Sequence, residues 1–129
     1  MNVDVGRAGD FIAAAALSRM SVQNVISQQP GFDLVAFVPE PVRIEVKTAS
    51  KRSASNDEIY AFMTSRGSKK KSPLTRETAD IVCLVALPER LAIFRHIDEI
   101  TGSLTRLHAY QFTYVNEEKS WLETVECLK

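Results

Sequence analysis

The chain has 129 residues, 45% of them apolar and 25% charged, with sixteen basic side chains balanced by sixteen acidic ones. That length suits one domain, residues 1–129, able to bury a core without staples, and the composition excludes a disordered chain or a fibre. No apolar run approaches the roughly 20 residues of a bilayer span, and the opening Met1-Asn2-Val3-Asp4-Val5 does not read as a signal peptide; no membrane partner is expected, and a cytoplasmic setting is.

Val5 to Met20 reads as a helix, with an alanine run from Ala13 to Ala16 that lets it lie close to a sheet and Asp4 as its N-cap. Three strands follow: Val22 to Gln28, Phe32 to Val38 and Val42 to Thr48. The second is nearly continuous apolar and reads as buried on both faces, apart from Asp33. The third alternates, Val42, Ile44 and Val46 one way and Arg43, Glu45 and Lys47 the other. Together they predict an antiparallel meander. Residues 49–58 and 65–78 are polar loops around a short strand, Ile59 to Thr64. Ala79 to Leu87 is a central strand rich in β-branched residues, and Leu91 to Arg95 is its hairpin partner. Residues 97–115 fit no pattern. From Asn116 the spacing of Trp121, Leu122, Val125 and Leu128 predicts a closing helix. The fold class is α/β (α+β), a mixed central sheet flanked by helices. Cys83 lies in an apolar run, and neither it nor Cys127 has metal-ligand spacing, so a reducing compartment is expected.

The chemistry concentrates in three residues. Asp33 starts one strand, and Glu45 and Lys47 share a face of the next, so a hairpin brings Asp33 close to Glu45. Hydrolysing a phosphodiester requires charge neutralised on the phosphate and a water made nucleophilic, and a divalent ion does both. Magnesium takes oxygen donors, often one or two carboxylates completed by waters and substrate. Asp33 and Glu45 offer carboxylates, and the carbonyl of Val46 lies between the two polar side chains. Lys47 then orients the attacking water or stabilises developing charge.

Pro30-Gly31-Phe32-Asp33, followed after eleven residues by Glu45-Val46-Lys47, resembles the signature of the PD-(D/E)XK nucleases. Gly6-Arg7-Ala8-Gly9-Asp10 is similar to the glycine-plus-acid start of that superfamily's first helix. Val46-Lys47-Thr48-Ala49 resembles the branch that contains archaeal Holliday-junction resolvases and a bacterial intron-encoded homing endonuclease. The strand Ala79-Asp80-Ile81-Val82 and its partner fit the same layout, so the resemblance covers residues 6–100. It implies a restriction-endonuclease-like core, Mg2+ or Mn2+ as cofactor, Asp33 and Glu45 as metal ligands, Lys47 as the catalytic lysine and Asp10 in place of the helix carboxylate, usually a glutamate. Phe32 stands where the motif has a proline.

Each residue also has a plainer reading. A Glu-x-Lys triplet is ordinary on an exposed strand, and a buried-looking Asp33 needs a partner that Arg43 or Lys47 would supply. Asp10 shares a helical face with Ala13, Ala14 and Leu17, which turns it to the sheet; alternatively it is a first-turn acid favouring the helix dipole. The run from Ser65 to Lys71, with Arg66, Lys69, Lys70 and Lys71, is either a solvated loop or, with Lys51 and Arg52, a phosphate grip. Tyr60, Phe62 and Trp121 read as core, Asp80 as structural, and His96 and His108 as structural or surface residues. The favoured function is a DNA endonuclease acting on duplex or branched substrate. The short chain leaves little for a recognition domain, which favours structure-selective, resolvase-like cutting by a homodimer. The alternatives are a sequence-specific homing or restriction-type enzyme and a non-catalytic DNA-binding module with the same fold.

Overall fold

The computed structural model of the chain describes residues 4–27, 31–66, 72–73 and 77–129, with backbone alone at 65–66 and 72–73. In chain order the elements are α1 (Val5–Arg19), β1 (Asn24–Ile26), β2 (Leu34–Phe37), β3 (Pro41–Ala49), β4 (Ile59–Met63), β5 (Ser65–Arg66), β6 (Ser72–Pro73), β7 (Ile81–Ala86), β8 (Leu91–His96), β9 (Leu104–His108) and α2 (Tyr114–Cys127). The main sheet has the order β1-β2-β3-β7-β8, antiparallel throughout except for the parallel pair β3 and β7. β4 and β9 form a separate antiparallel ribbon. This is the mixed sheet flanked by helices that the sequence predicts.

Two cores sit on opposite faces of the sheet. On one, Ala13, Ala16 and Leu17 of α1 pack on Leu34, Ile44, Val46, Cys83 and Phe94, with Trp121 of α2 closing the layer. On the other, Tyr60, Phe62 and Leu107 of the ribbon cover Val82, Leu84 and Ile93. β7 contributes to both, which is why its apolar run is unbroken. α2 guards the outer edge of β8: the Glu117 carboxylate accepts from Ala92 N–H at 2.8 Å, and Ser120 Oγ accepts from Phe94 N–H at 3.0 Å. Side chains thus occupy backbone groups that an open edge would offer to another chain. Glu117 also pairs with Arg19 at 2.6 Å, tying the two helices together.

Several expectations change. β2 is buried on one face only: Leu34 and Ala36 are sealed, while Phe37 is 36% exposed. No described element covers β1 and β2 opposite α1, so an apolar sequence did not imply two packed faces. The unpatterned stretch 97–115 contains β9 between two short 3-10 turns. β9 is hard to read because its burial follows from pairing with β4 across a long separation. α2 starts at Tyr114, capped by the Thr113 hydroxyl on Asn116 N–H, and Leu122 points outward at 59% exposure rather than joining Trp121. The polar stretch 65–78 holds the short β5–β6 pairing.

Candidate active site

The site begins where α1 meets β3. Gly9 is buried against Thr48, and a Cβ at that position would collide with Thr48 Oγ1. Glycine is therefore required by close approach of helix to strand. The contact brings the next residue, Asp10, to the margin of the sheet beside β2 and β3. Among the described residues the Thr48 hydroxyl has no hydrogen-bond partner, a sign of how tightly the helix presses on it.

Asp33 reaches the same margin by a different device. Leu34 is the register partner of Ile44, yet Asp33 N–H also donates to the Ile44 carbonyl at 2.8 Å. Two residues thus oppose one, the pattern of a β-bulge, which re-aims a side chain at the end of a pairing. The Asp33 carboxylate turns to accept Val46 N–H at 2.7 Å. Because the N–H and C=O of a strand residue point to the same neighbour, the Val46 carbonyl lies on this edge too. Asp10, Asp33 and Val46 line one cavity of about 440 Å³, together with Arg7, Phe11 and Ser27.

Glu45 and Lys47 occupy the other face of β3. Their register partners are Val82 and Leu84, and the neighbouring Ile44 and Val46 face α1. Lys47 Nζ stands 3.5 Å from Glu45 Oε1, and both side chains are largely shielded from solvent. They do not line the cavity of Asp10 and Asp33, but their electrostatics are joined to it. Burial, then the charge of Asp33, then that of Glu45 push the Asp10 carboxyl up to about 7, with Asp4 adding to the rise and Arg7 opposing it. Three carboxylates from α1, β3 and the start of β2 thus share one field across the sheet margin. Asp10 faces the sheet, which favours the first of its two readings over that of an exposed first-turn acid.

Arg43 pairs with Asp80. It donates to Asp80 through its backbone N–H at 2.8 Å and its guanidinium at 3.1 and 3.2 Å, and to the Glu77 carbonyl at 2.9 Å. Burial alone would raise the Asp80 carboxyl, but these bonds and the Arg43 charge outweigh it and hold the group below its ordinary value. Asp80 is structural, as its place at the head of β7 suggests. His96 uses Nδ1 to accept Asp98 N–H at 3.1 Å and start a 3-10 turn.

The chain shares its fold with a solved nuclease. The structure is that of the bacterial homing endonuclease I-Ssp6803I, matched with a TM-score of 0.74 at 16% identity, over 96% of this chain and 93% of that one. No protein-family model matches the sequence, and no curated protein matches it.

The basic candidates separate. Lys51 and Arg52 are exposed beyond β3. Arg52 is held by Glu89 at 3.3 Å and the Asp57 carbonyl at 3.0 Å, with its guanidinium 5.8 Å from the Tyr60 ring centre. Arg52 and Glu89 line a separate, larger cavity of about 640 Å³ with His108 and Tyr110, which contains none of the acidic candidates. The side chain of Arg66, and Lys69, Lys70 and Lys71, lie outside the described residues. Among the described residues, no three His, Cys, Asp or Glu side chains stand close enough to share a metal ion, and no helix is long and apolar enough to cross a membrane. Sequence reading passed over Arg7, Phe11 and Ser27. Arg7 had a signal, since it lies three residues before Asp10 and so on the same helical face; Ser27 had none.

Proposed function

We propose that this chain is a metal-dependent endonuclease of the PD-(D/E)XK type that hydrolyses phosphodiester bonds of DNA. The observation that carries this reading is the approach of Asp10, Asp33 and Glu45 to one margin of the sheet, where burial first and then the charges of Asp33 and Glu45 push Asp10 up to about 7, with Lys47 beside Glu45. Such an accumulation of negative charge is what a divalent cation relieves. The shared fold of a nuclease supports it.

The donor types are those that magnesium or manganese takes. Two carboxylates and a main-chain carbonyl, completed by waters, suffice for magnesium, so a three-carboxylate cage is not needed. Asp33, Glu45 and the Val46 carbonyl would hold the ion, with Asp10 acting through a water. Bound there, it would polarise the phosphate and lower the pKa of a water. The chain's own groups do the rest. Asp33 is oriented by Val46 N–H. Glu45 holds Lys47 beside it, where Lys47 would meet the charge developing on the phosphate. Lys51, Arg52, Arg66, Lys69, Lys70 and Lys71 are proposed to grip flanking phosphates, and a homodimer would cut two strands.

Two substrates compete. One is a branched, resolvase-like DNA; the other is a duplex cut at a specific sequence, the reading that the fold shared with a homing endonuclease supports. The deciding experiment offers a labelled four-way junction and its linear arms to wild type and Lys47→Ala, with magnesium, manganese or chelator. Paired symmetric nicks in the junction alone, lost with chelator and in the variant, establish a resolvase. Cutting of the linear arms establishes a duplex endonuclease. If neither is cut and magnesium does not raise the melting temperature, as binding to the folded state must, the chain is a non-catalytic module and the proposal fails.

A further inference from the structure

An acidic cavity that receives a polyanion needs a cation at its mouth, and one residue of the cavity supplies it. Arg7 is exposed on α1 and lines the cavity with Asp10 and Asp33. Its charge reaches Asp10, yet among the described residues it forms no ion pair. Its guanidinium instead lies 5.6 Å from the ring centre of Phe11, one helical turn on, which lines the same cavity and is 53% exposed. A guanidinium within about 6 Å of an aromatic face is held there by the ring's quadrupole while its donors remain available. Arginine's planar fork matches a phosphate in two parallel hydrogen bonds.

We infer that Arg7, propped by Phe11, binds a DNA phosphate at the mouth of the Asp10–Asp33 cavity and sets the position of the strand over the acidic centre. This rests on the nuclease reading and extends it to a residue that the Asp/Glu/Lys motif does not include. Arg7 is a binding residue that touches substrate; Phe11 is a positioning residue that acts through it. A merely structural Arg7 would affect stability and leave the salt dependence of binding unchanged.

The test measures binding of a labelled duplex and a four-way junction, in calcium and in chelator, across a salt series. Wild type is compared with Arg7→Gln, Arg7→Lys, Phe11→Ala and, as a control, Lys119→Gln on α2, beyond the opposite edge of the sheet. Arg7→Gln is expected to bind about tenfold more weakly and to lower the slope of log K against log salt by about one. Arg7→Lys is expected to keep the slope while losing part of the affinity, Phe11→Ala to weaken binding about threefold with the slope kept, and Lys119→Gln to match wild type. Unchanged affinity and slope in Arg7→Gln, with wild type binding normally, overturns the assignment of Arg7 alone. A wild-type protein that binds neither DNA overturns the nuclease reading and this inference with it.

Discussion

On the β7 side of β3, every residue from Ile81 to Ala86 is sealed from solvent on both faces of the sheet. On the β2 side, only Leu34 and Ala36 are sealed; Val25 and Phe37 remain open, and the pairing ends in a two-against-one step at Asp33. β3 belongs to both regions. Its Ile44 and Val46 are core, and its Glu45 and Lys47 are the polar pair beside the acidic margin. The packed half supplies the rigidity against which the open half can hold like charges together. If so, substitutions in the two halves should fail differently, one by unfolding and the other by losing chemistry in an intact fold.

The largest effect is expected in the packed half. Phe94 is fully buried and meets Trp121 edge to face at 5.0 Å. Phe94→Ala should cost about 3–5 kcal/mol, lowering the melting temperature by about 10–15 °C. A loss below about 1 kcal/mol in denaturant melts would show that this layer is not the rigid support supposed here. The mirror case is Glu45→Gln or Asp33→Asn. Cleavage of whichever substrate the wild type cuts should fall by about 10²–10³-fold in either variant. The unfolding midpoint should hold or rise in Asp33→Asn, which removes like charge from the margin, and change little in Glu45→Gln, where that relief is offset by the lost pairing with Lys47. Full activity in a folded Glu45→Gln would remove that residue from the site.

The legibility of the sequence follows the same division. β7 and β3 were readable because their periodicity is set by burial, unbroken in one and strictly alternating in the other. The cap at Asp4 was readable because capping is local chemistry. β9 was not, because its partner β4 lies more than forty residues earlier in its register pairs, Ile59 with His108 and Met63 with Leu104. Asp33, Glu45 and Lys47 could be proposed as a set from their strand positions and the family resemblance. That Asp10 and Asp33 share a cavity while Glu45 and Lys47 occupy the opposite face of β3 could not, since this depends on the bulge-like step at Asp33 and on how closely α1 approaches Thr48.

That close approach joins the two regions and can be tested. Gly9→Ala forces α1 away from β3 and should cost about 1–3 kcal/mol, the usual penalty of overpacking, and shift Asp10 with it. Thr48→Ala removes the obstructing hydroxyl, which lacks a partner among the described residues, and should be near neutral or stabilising. The double variant should recover most of the stability lost in Gly9→Ala. Additive losses in the cycle would mean that Gly9 is required for some other reason.

The smallest effect tests the shared field itself. The Asp10 carboxyl ionises near its ordinary value of 3.8 in the unfolded chain and at about 7 in the folded one, because of burial first and then the charges of Asp33 and Glu45. Between these values the folded state binds more protons, so stability falls as pH rises through the interval and levels off above about 7. Solvent screening at this partly exposed group limits the contribution to about 1–2 kcal/mol. Asp10→Asn should therefore match wild type near pH 4 and exceed it in stability near pH 8 when both are melted in chelator. Magnesium should narrow the gap at pH 8, because a cation near the carboxylates favours the ionised Asp10 that only the wild type has. Equal pH profiles for the two proteins would mean that Asp10 does not feel Asp33 and Glu45, and the acidic margin would then be separate carboxylates with no common site.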